Sequence, residues 1–466
     1  MAPRKNLIST AFILWIAVIV FFSPGCVGRT LAGSRLLQGV RPEMESPEFW
    51  LKKLPDPHRV LLSPEEIRRM NEENLGRDGL YLCNVKALKE EWTREELLAL
   101  LDEDWQGFGD HTGIRYGRYG HPLGDSFWNS LKRSLDIESI RERNRVGFGL
   151  IVKRTDIRVF PTEEVSMNTP DDYEIDRFQH SAISPGSLVG VYHFSRDRLW
   201  SYVQAGFIRG WIRATDLALA KERKEALDYE EVKDRLVITG SFVRVFGDSS
   251  FRQTAFLAQM GASFPLLDSF ENSGFFTIRM PFRESDGTLS FRTGYVPKDE
   301  DVHSGFLPYT QEHAARQAFK MLHQPYGWGE MFGARDCSRF IMDIFASFGI
   351  VMPRNSKLQA RIGISLGEVE DRDKREKKKV LDRAVPLATL LRLPGHIMFY
   401  LGKDQGEHYV IHNAWAVQKR VFFSPAIEKI GRTVVSDLSL GKTGPTQSLL
   451  DRLTDIQFIG RASEAP

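Results

Sequence analysis

The sequence predicts a multidomain α+β protein, with a helical segment, two small β-barrels and a C-terminal domain that mixes helices and strands. The chain has 466 residues, which is enough for about three domains. Apolar residues recur at helical spacing up to about Arg145, and short alternating runs with Gly and Asp turns follow. After Tyr309 helical and strand patterns alternate. Together these three observations predict the class.

Residues 1–26 have the layout of an export signal. Two basic residues precede an apolar run over residues 7–22, which is shorter than the about 20 residues that a spanning helix needs. Small residues then lead to Cys26, and this arrangement resembles the lipobox of bacterial lipoproteins, with Ser23 where Leu is usual. The resemblance implies cleavage before Cys26 and lipid attachment to it. A plain cleaved signal and an uncleaved membrane anchor stay open, and all three alternatives predict export.

The next two segments are a predicted linker and a predicted helical domain. Residues 27–60 are rich in proline and are expected to be a linker or arm. Residues 61–145 are expected to be helical, with Ser63 and Thr93 as N-caps and acidic residues in the first turn after each.

Two β-barrels and a mixed domain are predicted to complete the chain. Short β-type runs separated by turn residues place the barrels at residues 146–225 and 230–308. Residues 309–466 begin with a helical pattern, and strands are expected at "GHIMFYLG" and "EHYVIHNAW".

Composition excludes some classes of function. The net charge is +2, and no basic stretch with interleaved aromatic residues indicates a nucleic-acid partner. The three cysteines, Cys26, Cys83 and Cys337, have no spacing typical of zinc sites, so no structural metal is expected. An oxidising compartment would permit a disulfide between Cys83 and Cys337, but a catalytic role for Cys337 argues against that pairing.

Cys337 lies where a helix is expected to begin. Asp336 is placed as the N-cap, apolar residues follow at helical spacing, and Gly349 is placed as the C-terminal stop. The helix dipole and the free N–H groups of a first turn favour an anion, so we expect the thiol pKa to be lowered and Cys337 to be a nucleophile. The alternative is a small buried residue with a structural role.

Two histidines downstream could supply a base and its orienting partner. His396 opens one predicted strand and His412 closes the next. A three-residue hairpin loop at 403–405 would place them opposite each other, with Cβ atoms about 4.5–5.5 Å apart. A register shifted by two residues would make them diagonal neighbours. His408 shares their face but lies too far along the strand to orient His396.

The segment "PYGWGEMFGARDCSRFIMDIFASFGIVMPRNSKLQA" resembles the catalytic segment of the NlpC family of bacterial cell-wall cysteine peptidases. The family motifs are Tyr-x-Trp-Gly-Gly, Asp-Cys-Ser-Gly and Leu-Pro-Arg-x-Ser, and the likeness extends to His412. Upstream, "VYHFSRDRLWSYV" and "GWIRATDLA" resemble bacterial SH3-like domains, and the helical segment resembles the N-terminal stabilising domain of the same architecture. Glu330 and Arg339 depart from the motifs, because each stands where the family has Gly.

The resemblance implies a papain-like α+β fold for residues 309–466 and SH3-like folds for the two barrels. It also implies hydrolysis of the γ-D-glutamyl–diaminopimelate bond in murein stem peptides. Cys337 takes the place of the nucleophile, His396 that of the base and His412 that of the orienting residue. The resemblance implies neither a metal nor an organic cofactor.

Three further residues occupy substrate-contacting positions of the resembled family. Tyr326 matches a tyrosine that can help to stabilise the oxyanion, and Asp336 and Ser338 match positions that contact substrate. Family members with SH3-like domains often require a free N-terminal L-Ala, whose amine Asp336 and groups of the first barrel would receive. The expected partners are therefore peptidoglycan stem peptides and, through a lipid or signal anchor, the membrane of the bacterial cell envelope, on the periplasmic side.

Two other functions are compatible with the sequence. In the first, the barrels bind peptidoglycan and the Cys–His site is idle, in which case Cys337 should lack unusual thiol reactivity. In the second, the same scaffold carries an acyltransferase or amidase, which analysis of the reaction products would reveal.

Overall fold

A computed structural model describes residues 36–108, 113–268, 273–421, 424–441 and 447–464. It confirms the predicted multidomain α+β class, since both helices and antiparallel sheets are present. Residues 1–26, including Cys26 as the predicted lipidation site, lie outside the described residues. Among the residues described, no helix is both long and apolar enough to cross a membrane.

Residues 36–145 are mainly helical, with three short strands. The elements are α1 (Pro47–Leu51), β1 (Val60–Leu62), α2 (Pro64–Leu75), β2 (Glu91–Thr93), α3 (Arg94–Gly107), α4 (Asp125–Ser134) and β3 (Arg143–Arg145). Ser63 and Thr93 cap α2 and α3 as predicted, because each side chain accepts a hydrogen bond from the N–H three residues on.

The described part of the predicted linker is folded onto the C-terminal domain. Residues 42–45 form a 3₁₀ turn before α1, and the side chains of Met44 and Trp50 are almost completely buried in the C-terminal core. The indole N–H of Trp50 donates to the carbonyl of Met44 at 2.9 Å. Of the two alternatives for this segment, a linker or an arm, the packing of these apolar side chains fits the arm.

The first sheet is antiparallel and has the order β10-β4-β7-β8-β9-β5-β6. Its strands are β4 (Gly147–Ile151), β5 (Thr155–Arg158), β6 (Gln179–Ile183), β7 (Leu188–Phe194), β8 (Trp200–Gln204), β9 (Arg209–Arg213) and β10 (Leu217–Leu219). The aromatic side chains of Tyr192, Trp200 and Tyr202 lie in its core.

The second sheet follows α5 (Arg223–Glu230) and has the order β13-β12-β16-β15-β14-β11-β17. Its strands are β11 (Arg235–Ile238), β12 (Phe242–Phe246), β13 (Thr254–Gln259), β14 (Ser263–Asp268), β15 (Phe275–Arg283), β16 (Leu289–Pro297) and β17 (Val302–Ser304).

The C-terminal domain contains a six-stranded sheet of order β19-β24-β20-β21-β22-β23. Its elements are β18 (Tyr309–Thr310), α6 (Gln311–Phe319), α7 (Cys337–Ala346), α8 (Ser356–Gln359), β19 (Ile364–Glu368), α9 (Lys374–Leu381), β20 (Thr389–Leu393), β21 (His396–Asp404), β22 (Glu407–Val421), β23 (Ser424–Asp437), α10 (Leu449–Arg452) and β24 (Asp455–Phe458). Odd-numbered residues of β21, such as Phe399, pack in one core with α6 and α7, and even-numbered ones, such as Tyr400, pack in another with α9 and α10. The start of β21 therefore lies between the two helical layers.

Candidate active site

Cys337 is the first residue of α7, as predicted. The carboxylate of Asp336 caps the helix by accepting a hydrogen bond from the N–H of Arg339 at 2.8 Å. Gly349 ends the segment with a φ of 75°, in the left-handed region that favours glycine. Buried apolar side chains along α7 fix its orientation against the sheet, so the sulfur is held at a defined place.

The thiol of Cys337 is only 7% exposed, and its electrostatics differ from expectation. Burial and the neighbouring carboxylate of Asp336 raise its pKa to about 12, although backbone N–H groups of Ile397 and Ser338 contact the sulfur and act in the opposite direction. The predicted lowering of this pKa is therefore wrong for the free protein. The cost of removing the thiolate from water outweighs the stabilisation of that anion by the start of the helix.

We expect the alkylation of Cys337 by iodoacetamide to be slow at neutral pH, so thiol reactivity does not distinguish an active site from an idle one in this fold. Below a pKa of about 12, the fraction of thiolate increases about tenfold for each unit of increasing pH. The rate constant should therefore still be increasing between about pH 8 and pH 10. The measurement uses a Cys83→Ala variant, which leaves Cys337 as the thiol under study in the described chain. A rate that levels off below pH 8 would contradict the assignment of a neutral thiol.

His396 opens β21, beside the backbone N–H that contacts the sulfur. Its Nε2 and Nδ1 of His412 are 2.7 Å apart, which is a direct imidazole–imidazole hydrogen bond. Burial and the positive charge of Arg452 lower the pKa of His396 to about 4, against an opposite effect of Asp336. Both the thiol and the imidazole are therefore neutral at pH 7.

His412 is almost completely buried and is held in turn by Ser436. Its Nε2 lies 3.0 Å from the hydroxyl oxygen of Ser436 on β23. Burial and the neighbouring His396 keep the pKa of His412 well below its usual value. The sequence interpretation missed Ser436. The signal was its position on the strand after His412, because β22 pairs His412 with Val434 and Ser436 shares that face.

The hairpin that joins the two histidines differs in detail from the prediction. Its turn has two residues, Gln405 and Gly406, both with positive φ, and a bulge lies between Tyr400 and Gly402. Phe399 pairs with Ile411, so continuing this register makes His396 and His412 diagonal neighbours rather than directly opposite residues. The face that they share is unchanged, because the shift equals two residues.

His408 takes no part in this pair. Its Nδ1 lies 2.8 Å from the hydroxyl of Tyr400, and it pairs with Lys403 across the hairpin.

Asp336 and Ser338 belong to a buried cluster with Arg354. Both terminal nitrogens of Arg354 donate to the carboxylate of Asp336, at 2.6 and 3.2 Å, and Nη1 also donates to the hydroxyl of Ser338 at 2.7 Å. Nε of Arg354 donates to the hydroxyl of Ser181 in β6. The carboxylate that was expected to receive a substrate amine is thus already paired, and the first sheet reaches it through Arg354.

The two departures from the family motifs contact each other. Glu330 and Arg339 form an ion pair at 3.3 Å, and Arg339 forms a second one with Asp343, at 2.6 Å. Arg335 also pairs with Asp343, at 2.5 Å. Burial opposes ionisation of Glu330, but Arg339, Arg354 and Arg154 hold the pKa of its carboxyl below the usual value.

Glu330 also joins the C-terminal domain to both upstream sheets. Its Oε2 accepts hydrogen bonds from Ser181 at 2.6 Å and from the N–H of Ala182 at 2.9 Å, and its Oε1 accepts one from Gln259 at 3.4 Å. The sequence interpretation assigned no role to this residue, because these partners are distant in sequence.

A cavity of about 190 Å³ lies beside the two histidines. The residues that line it are Ile175, Tyr326, Trp328, Leu393, Pro394, Gly395, His396, His412, Ala414, Trp415, Ala416, Val417, Leu449 and Arg452. Burial and the charges of Cys337 and Asp336 raise the pKa of Tyr326, which keeps its phenol protonated. The indole N–H of Trp415 donates to Glu174 at 2.8 Å, so the loop before β6 forms part of the wall.

Two family comparisons match parts of the chain. Residues 323–429 match the NlpC/P60 family, and residues 166–213 match an SH3 domain of the SH3b1 type. No curated protein matches the chain.

Solved structures also match the chain. The chain is similar to an NlpC/P60 endopeptidase from Photobacterium damselae subsp. piscicida, with a TM-score of 0.69 and 19% identity over 86% of this chain and 94% of that one. It also matches an NlpC/P60 family protein from Bacillus cereus ATCC 10987, with a TM-score of 0.47 and 14% identity over 67% of this chain and 100% of that one. At such identities the first likeness shows the fold alone. The C-terminal domain therefore includes a segment, residues 323–429, that matches a family of cysteine peptidases, and a segment upstream of it matches an SH3 domain of the SH3b1 type.

Proposed function

We propose that the protein is a peptidoglycan endopeptidase that hydrolyses the γ-D-glutamyl–diaminopimelate bond of murein stem peptides. One observation carries the proposal. The buried sulfur of Cys337 lies at the start of β21, where His396 is hydrogen-bonded to His412 and lines a cavity. The family of the C-terminal domain supports peptide hydrolysis as the reaction class.

Cys337 acts as the nucleophile and His396 as the base. In the tautomer that we assign, Nε2 of His396 donates to Nδ1 of His412, and the remaining nitrogen of His396, Nδ1, has no proton and accepts the one from the thiol. The sulfur attacks the γ-carbonyl of D-Glu and the C–N bond breaks, while the imidazolium protonates the leaving amine. Water then hydrolyses the thioester, which restores the thiol and releases the γ-carboxylate.

Hydrogen-bond donors around the sulfur stabilise the oxyanion of each tetrahedral intermediate. The backbone N–H groups at the start of α7 are one source and the protonated phenol of Tyr326 is the other. Since the thiol and His396 are both neutral before substrate binds, the proton transfer accompanies attack rather than preceding it.

His412 holds the imidazole of His396 in the productive tautomer, and we expect His412→Ala to lower kcat by about 100- to 1,000-fold. The loss should appear in kcat more than in KM, because His412 orients the base without contacting the substrate. Initial rates and circular dichroism give the comparison. Ser436→Ala is the matched variant one step further along the chain of hydrogen bonds, and its effect should be smaller. Full activity of His412→Ala would remove it from the mechanism.

The proposed substrate carries a free N-terminal L-Ala. Asp336, Arg354 and Ser181 form a polar cluster between α7 and the first sheet, and the free amine would join the carboxylate of Asp336 there. The proposal is tested by mass spectrometry of L-Ala-γ-D-Glu-diaminopimelate and its N-acetylated form after incubation with the protein. Release of diaminopimelate from the free peptide alone supports the proposal. Equal cleavage of both would contradict the amine preference, and cleavage of neither would contradict the function.

We also propose that the protein is exported to the bacterial cell envelope. The layout of residues 1–26 and the nature of the substrate support this location, with attachment at Cys26 as the lipoprotein form of the proposal. We further propose that the domains have the boundaries predicted from the sequence, which are residues 61–145, 146–225, 230–308 and 309–466.

A further inference from the structure

Arg452 is a charged residue at the candidate active site, and it takes no part in the catalytic steps proposed above. It is the last residue of α10 and lines the cavity that His396, His412 and Tyr326 also line. Leu449 and Leu450 of the same helix pack against Met398 and Tyr400 of β21, which holds α10 beside this strand.

The guanidinium of Arg452 makes no hydrogen bond or ion pair with any residue that the structure describes. Other arginines around the site are paired, such as Arg354 with Asp336 at 2.6 Å and Arg392 with Asp455 at 2.8 Å. Arg452 is half-buried, and the described residues that line the cavity include no carboxylate. A half-buried cation that faces a cavity without a counter-charge is suited to an anionic ligand.

The position of Arg452 also places its charge close to the reaction. Its positive charge is one of the causes that lower the pKa of His396. A group that acts on the base from within the same cavity is close to the bond that the base helps to break. The anion that it would bind therefore belongs to a part of the substrate near the scissile amide.

We propose that Arg452 binds a carboxylate of the substrate that flanks the scissile bond. This inference rests on the proposed function, in which the substrate has two such groups, the α-carboxylate of D-Glu and the carboxylate on the diaminopimelate carbon that bears the scissile nitrogen. The planar fork of a guanidinium matches either carboxylate through two parallel hydrogen bonds. Arg452 is thus a residue that determines specificity.

The test compares the wild type with Arg452→Gln on four peptides. They are L-Ala-γ-D-Glu-diaminopimelate, the form amidated at the α-carboxylate of D-Glu, the form amidated at the flanking diaminopimelate carboxylate, and the doubly amidated form. On the first peptide, Arg452→Gln should lower kcat/KM by about 10- to 100-fold, as expected for a lost charged hydrogen-bond pair. On the peptide that lacks the partner carboxylate, the two proteins should be equal, and this peptide identifies the partner.

Two further variants make the result specific. Arg452→Lys keeps the charge but not the fork, and it should recover part of the loss. Arg383→Gln removes an exposed arginine of the same domain and should behave as the wild type on all four peptides. Circular dichroism shows whether each variant is folded.

Two outcomes would overturn the inference while the proposed function stands. The first is an unchanged kcat/KM of Arg452→Gln on the free peptide. The second is an equal loss on all four peptides, which would mean that Arg452 acts without recognising a carboxylate. If the wild type cleaves none of the peptides, the proposed function fails first.

Discussion

Cys337→Ala is expected to lower the rate of hydrolysis of L-Ala-γ-D-Glu-diaminopimelate by about 10,000-fold or more, because no other group can form the thioester. The fold should survive, since the substitution removes one sulfur atom from a side chain that packs at the edge of a core. Initial rates from product chromatography, with circular dichroism as the check of folding, measure the effect.

Cys83→Ala is the matched control for this prediction. Cys83 is a second free thiol, partly buried and with a pKa raised by burial, but it packs against the core of the first sheet and does not line the cavity beside His396. Its replacement should leave the rate unchanged. A Cys337→Ala protein that retains even a tenth of the wild-type rate would exclude a cysteine mechanism at this site.

Glu330→Gln is expected to lower the free energy of unfolding by about 3 kcal/mol, the largest stability effect expected at the site. Glutamine keeps the shape and the contacts with Ser181 and Ala182 but removes the negative charge that faces Arg339. The buried positive charge of that arginine is then compensated by Asp343 alone, which Arg335 shares. The midpoint of denaturant unfolding gives the measurement.

Replacing Glu330 by the glycine of the family motif should not increase the stability of the fold. Glu330 has a φ of 68°, a conformation that favours glycine, so Glu330→Gly relieves backbone strain of about 1 kcal/mol. The same change removes the buried carboxylate and all its hydrogen bonds, and the net effect should still be a loss. Glu163→Gln is the control, because Glu163 is paired with Arg213 at the surface and should contribute less than about 1 kcal/mol. Unfolding of Glu330→Gln at the wild-type midpoint would show that the ion-pair network does not stabilise the fold.

The local parts of the site could be predicted from the sequence because they depend on residues close in the chain. Asp336 caps α7 by accepting a hydrogen bond from a residue only three positions further along the chain. His396 and His412 lie on the same face of the sheet in either of the two registers considered. The observed register is the diagonal one of the two alternatives, and the sequence could not choose between them because neither the two-residue turn at Gln405 and Gly406 nor the bulge between Tyr400 and Gly402 follows from the strand pattern.

The remaining parts depend on tertiary contacts. The pKa of Cys337 is set by how completely neighbouring elements exclude water, which no local pattern encodes. Glu330 and Arg339 could be recognised as departures from a motif, but their meaning depends on Ser181 and Gln259, which belong to other sheets. Ser436 and Arg452 reach the site only after further strands and turns have returned the chain to it.

The central claim is that the protein hydrolyses the γ-D-glutamyl–diaminopimelate bond. The position of the oxygen that enters from water tests this claim most directly. L-Ala-γ-D-Glu-diaminopimelate is incubated with the wild-type protein in H₂¹⁸O, and the products are analysed by mass spectrometry. Hydrolysis of the thioester on Cys337 should place a single ¹⁸O in the γ-carboxylate of the released L-Ala-D-Glu and none in diaminopimelate. An intact tripeptide after long incubation, or products cut at the bond between L-Ala and D-Glu, would contradict the account.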